Sequence, residues 1–168
     1  FEIQDNPKSS LCIDGTRYIP VKLLDIAGLI PGASKGKGLG NRFLDDARQA
    51  DALIHVVDAA GSTDAEGRPI VPGTGDPIYD IQFVEEELDQ WLASILQRDW
   101  TSMVREMSNQ STKLEHVIAT RLSGLSIKES EIASTIAELG LSQTRATNWS
   151  DNDILRFCMK LREKSKPI

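Results

Sequence analysis

Asp25-Ile26-Ala27-Gly28 follows directly on the apolar run Val21-Lys22-Leu23-Leu24. The run predicts a buried strand that ends in a carboxylate, with a glycine three residues on. Open α/β sheets bind ligands off the carboxyl ends of their strands. A carboxylate placed there suits Mg²⁺, usually through a water, because that ion takes oxygen ligands and keeps part of its hydration shell. A glycine just beyond lets a backbone N–H approach a terminal phosphate with no side chain in the way. Asp25 is therefore a candidate Mg²⁺ ligand. Gly28 is a candidate donor to a γ-phosphate, whose presence or absence would order or release the loop. Leu29 comes next, where many nucleotide switches carry a glutamine that orients the attacking water. A leucine neither donates nor accepts a hydrogen bond, so water would have to be positioned by another group.

D-x-x-G alone arises by chance in many proteins, and the residues after it make the pattern specific. They are Leu29-Ile30-Pro31-Gly32-Ala33, Gly36-Lys37-Gly38-Leu39-Gly40, Asn41-Arg42-Phe43-Leu44-Asp45-Asp46, and then Ala50-Asp51-Ala52-Leu53-Ile54-His55-Val56-Val57-Asp58. From about Cys12 to its last residue the chain resembles the Obg-related translation-factor GTPases, most closely the YchF-like branch of archaeal type. The resemblance implies an α/β fold, a P-loop GTPase-like partial G domain with an inserted helical subdomain. It implies GTP as ligand ahead of ATP, Mg²⁺ as cofactor, and hydrolysis used as a molecular switch in translation or ribosome function. It makes Asp25, Ile26, Ala27, Gly28 and Leu29 the phosphate-sensing switch II loop, with Asp25 holding Mg²⁺ via water. A hydrophobic residue at Leu29 is proper to that family and implies slow intrinsic turnover. Ser62-Thr63-Asp64 also fits the family, without a chemical role that follows from the residues.

Two parts of such a site are missing from the sequence. No G-x-x-x-x-G-K-[ST] loop is present to cradle phosphates. The stretch Gly32 to Gly38 imitates one, but its spacing is wrong and no serine or threonine follows the lysine. The N-K-x-D base-reading motif is absent too. The resemblance implies that the first lies upstream of residue 1 and the second just past Ile168, so the chain reads as the middle of a longer protein. Alone, it is expected to be inactive. A dinucleotide-binding reading of Gly36-x-Gly38-x-Gly40 fails on spacing.

The 168 residues suffice for one domain's core. A hydrophobic share of 40%, a charged share of 26% and a net charge of −6 argue against a generally basic nucleic-acid binder. Cys12 and Cys158 form neither a disulfide framework nor a zinc site and are expected to be reduced. No apolar run reaches membrane-spanning length. The expectation is a cytoplasmic protein without a membrane partner.

The elements that must position the loop follow from local pattern. Asp14-Gly15 between Ser10–Ile13 and Arg17–Leu24 predicts a hairpin, with Pro20 confining its strand to an edge or bulge. Gly28 to Gly40 predicts a loop, and Leu39 to Arg48 the start of a helix. Leu53–Val57 predicts a parallel strand covered on both faces, in which His55 reads as a core histidine and Asp58 as a loop or capping residue. Ala59 to Asp80, rich in Gly, Pro and Asp, predicts a long loop. Ile81 to Leu96 and Val104 to Leu122 carry helical stripes that predict two helices joined near 98–101, as a hairpin or short coiled coil. Ser126-x-x-Glu129 predicts a capped third helix ending at Gly140, and Ser150-x-x-Asp153 a fourth running to about Lys164. Trp91, Trp100 and Trp149 are expected in helical cores. The outcome is a sheet fragment of about four strands, with G-domain residues 1–80, a helical insertion 81–148, and a return helix with the start of a strand at 149–168. The last helix is basic (Arg156, Lys160, Arg162, Lys164, Lys166), and the resemblance allows the ribosome or RNA as partner. The alternative is a non-catalytic docking module that binds a protein or ribosomal partner through the helical insertion.

Overall fold

The computed structural model describes residues 10–26, 46–47 and 49–168, without the side chains of 109 and 110. The expected glycine-rich loop lies outside the described residues. So does most of the expected helix opening at 39–48, of which Asp46 and Ala47 are seen as helical.

The hairpin forms where the turn residues demand it. Strands β1 (Cys12–Ile13) and β2 (Thr16–Arg17) pair antiparallel, Cys12 opposite Arg17. Asp14 and Gly15 both take positive φ, 50° and 78°, as a two-residue turn matched to the strand twist requires. Tyr18 N–H to Leu11 O, 2.7 Å, adds a rung.

The two longer strands predicted beyond the hairpin are not formed among the described residues. Residues 18–26 and 53–57 have no regular secondary structure. Val21 and Leu23 are each 78% exposed, and Ile54 and Val56 81% and 88%. The expectations of a buried strand before Asp25 and a doubly covered strand at 53–57 are corrected accordingly. Strand identity depends on ladder partners far away in sequence; among the described residues Leu53 N–H donates to Pro167 O at 3.0 Å.

The segment from 59 to 76 is folded rather than a structureless loop. Thr63 and Pro69 form a bridge. Ile70 N–H donates to Ser62 O, Gly73 N–H to Ala60 O and Gly75 N–H to Gly61 O, at 2.8, 2.8 and 3.0 Å. These bonds satisfy the loop's backbone locally. They deliver the chain to Asp76, whose carboxylate accepts from Ile78 and Tyr79 N–H and caps helix α1 (Pro77–Gln97) with proline at its start.

Beyond α1 lie α2 (Trp100–Gln110), α3 (Leu114–Arg121), α4 (Glu129–Glu138) and α5 (Asp151–Ser165), with short 3₁₀ turns at Ser123–Leu125, Leu141–Gln143 and Ala146–Asn148. The second apolar stripe is two helices rather than one, because Ser111 at φ 53° ends α2. Nor do α1 and α2 make a coiled coil; α1 packs chiefly along α5. Ser126 does not cap α4: it sits at φ 58°, and Glu131 Oε2 accepts the Lys128 N–H at 2.8 Å instead. The expected stop at Gly140 (φ 68°) and the Ser150–Asp153 capping box of α5 are both present.

One apolar core joins these helices. Leu92, Ala93 and Leu96 of α1 meet Val104 of α2, Ile118 of α3, Ile132 of α4 and Phe157, Cys158 and Leu161 of α5. Trp100 and Trp149 stack at 5.2 Å, and Trp100 Nε1–H donates to Ala146 O at 3.0 Å. The tryptophans thus pack as expected, Trp91 along the core's margin.

Candidate functional site

Asp25 stands exposed at the end of the hairpin's outgoing segment, with Ile26 half-buried beside it. Ala27, Gly28 and Leu29 lie outside the described residues. An exposed carboxylate leaves its oxygens free for a hydrated cation, so the donor chemistry fits water-mediated Mg²⁺. Among the described residues no group of three or more carboxylate, histidine or cysteine ligands converges.

Asp58 organises the end of the 53–57 segment. Its carboxylate accepts Ala60 N–H (3.1 Å), Ser62 N–H (2.6 Å), Ser62 Oγ–H (2.8 Å) and Thr63 Oγ1–H (3.0 Å). Bonds to the charged form, led by the Ser62 hydroxyl, hold its carboxyl below the usual carboxylate range. Asp58 is thus the capping residue it was expected to be, and Ser62 and Thr63 acquire a role: they are its donors. Asp64 repeats the device one turn on, accepting from Glu66 and Arg68 N–H at 3.0 and 2.8 Å. His55 is half-buried.

Sequence reasoning missed the ion pair that clamps α1 to α5. Arg162 Nε–H donates to Asp89 Oδ1 at 2.6 Å and an Nη–H to Oδ2 at 3.3 Å, with both residues buried. Burial pushes the Asp89 carboxyl upward, against the pull of the Arg162 guanidinium. Asp89 stands among Leu88, Trp91 and Leu92 on α1, and that interruption of an apolar stripe was the available signal.

The basic run of α5 is largely committed within the molecule. Lys160 pairs with Glu138 and Glu163, Lys164 with Glu138 and Ser134, and Arg162 with Asp89. Lys166 Nζ donates to Ala50 O, and burial draws its ammonium below the usual value. Arg156 of the same helix is exposed.

Ala47, Ala50 and Leu53 meet the helical body at the same corner. Ala47 is 2% exposed. It lines an apolar cavity with Leu53, with Leu88, Trp91 and Leu92 of α1, with Leu125 and Ile127, and with the end of α5. A second, more polar groove of about 580 Å³ runs between α2 and α3, past Met103, Met107, His116 and Val117. The Arg121–Asp99 pair lies in it, and His116 Nδ1 lies 2.7 Å from Glu129 Oε1.

The pattern of a family described as 50S ribosome-binding GTPase matches residues 5–136. An uncharacterized GTP-binding protein of Methanocaldococcus jannaschii is 45% identical over 99% of this chain and 41% of its own length. The ribosome-binding ATPase YchF of Bacillus subtilis is 50% identical over 38% of this chain and 17% of its own. The crystal structure of a GTP binding protein from Pyrococcus horikoshii OT3 superposes with a TM-score of 0.81 at 38% identity, covering 98% of this chain and 43% of that one. The chain thus spans about two fifths of the length of the M. jannaschii relative and of the P. horikoshii chain.

Proposed function

The chain belongs to the 50S ribosome-binding GTPase family, among its Obg- and YchF-related members, with a partial P-loop GTPase fold plus a helical region; from that premise we propose that it carries the phosphate-sensing part of a nucleotide-operated switch acting in translation. The observation that carries the reading is D-x-x-G at 25–28, in a chain whose fold matches a GTP-binding protein over nearly its whole length. Asp25 holds a water of Mg²⁺, and the ion, when bound, neutralises phosphate charge. The Gly28 amide senses the γ-phosphate, within the loop Asp25-Ile26-Ala27-Gly28-Leu29. Leu29 supplies no hydrogen bond to water, so turnover is slow until another group or a partner orients it.

The domain scheme proposed with this reading is a G-domain portion at 1–80, a helical insertion at 81–148 and a return helix leading to a strand at 149–168. GTP is favoured over ATP by the names of the M. jannaschii and P. horikoshii proteins; the YchF name supports ATP as the rival and the ribosome as partner. A cytoplasmic location fits that partner. The described residues contain no helix long and apolar enough to cross a membrane.

The test is nucleotide binding by the full-length gene product, with GTP and ATP analogues titrated with and without Mg²⁺. Asp25→Asn is expected to remove most of the Mg²⁺-dependent gain in triphosphate affinity and to leave diphosphate binding nearly unchanged. A variant indistinguishable from wild type in Mg²⁺ dependence would refute the role of Asp25. The groove between α2 and α3 favours a second reading, a docking module whose partner binding persists without nucleotide. Partner affinity indifferent to the nucleotide state would select it.

A further inference from the structure

We draw no further inference here: the strongest candidate, the groove between α2 and α3 floored by Met103, Met107 and Val117, carries none, because Arg121 and His116 on its rim are engaged within the chain by Asp99 and Glu129 and nothing in the structure shows what covers it.

Discussion

Asp58 and Asp89 are both hydrogen-bonded carboxylates, and their surroundings push them in opposite directions. Asp58 accepts four bonds that favour its charged form, so its folded value is depressed. Its contribution to stability is complete above the ordinary aspartate value of about 4 and is lost as pH falls through the lower folded value. The Ser62 amide, followed by NMR, is expected to lose protection below about pH 4, and Asp58→Asn to abolish that acid transition. Asp89 is buried, and desolvation raises it in spite of Arg162. A pair of this kind contributes little net stability, yet breaking it leaves a buried charge alone. Asp89→Ala should therefore cost about 3–5 kcal/mol in urea unfolding, while Asp89→Leu combined with Arg162→Met should recover most of that loss. Equal losses in the single and double variants would contradict this account.

Local chemistry explains which elements could be read from the sequence. Asp14-Gly15, Gly140 and the Ser150–Asp153 box each specify their backbone within a few residues, and each occurs as read. Ser150→Ala should cost about 1 kcal/mol, measured by thermal unfolding, through one lost cap. The break after α2 was legible in principle, because Ser108 to Thr112 is a polar run of turn-forming residues that the helical stripe outweighed. Val21–Leu24 and Leu53–Val57 could be read only as apolar; whether such runs become strands depends on non-local ladders. The capping function of Asp58 followed from its position at the end of an apolar run, whereas the burial of Ala47 and the Asp89–Arg162 clamp depend on packing between distant segments. The 59–76 loop hides a constraint of the same sort. Gly61 and Gly75 touch backbone to backbone, and a Cβ on Gly75 would lie 2.9 Å from Thr63 O. Gly75→Ala should open the loop to limited proteolysis near Arg68, whereas a Cβ at Gly67 meets nothing within 4 Å. Gly67→Ala carries only the cost of a positive φ and should leave the loop closed. Equal cleavage of the two variants would show that the backbone contact does not hold the loop.

At the scale of the whole molecule, burial is unevenly shared. Apart from Ala47, every buried apolar side chain among the described residues lies between Phe83 and Leu161. Leu11, Ile19, Val21, Leu23, Ile54 and Val56 are exposed. Hydrophobic burial drives cooperative folding roughly in proportion to the area removed from water. The helical body therefore holds the means to fold by itself, and the hairpin segments do not. A fragment of residues 76–168 is expected to melt in one cooperative transition, within about 5 °C of the 168-residue chain, since a loss of 1 kcal/mol would move a domain of this size by roughly that much. A broad, non-cooperative melt of the fragment would show instead that the body needs the 46–53 segment to fold. The distinction bears on mechanism. A body that is stable without the Ala47 contact can change its attachment to that segment while keeping its own core, whereas a body that unfolds without it would turn every release of Ala47 into local unfolding. Only the first arrangement keeps the helical body folded when the Ala47 contact is released.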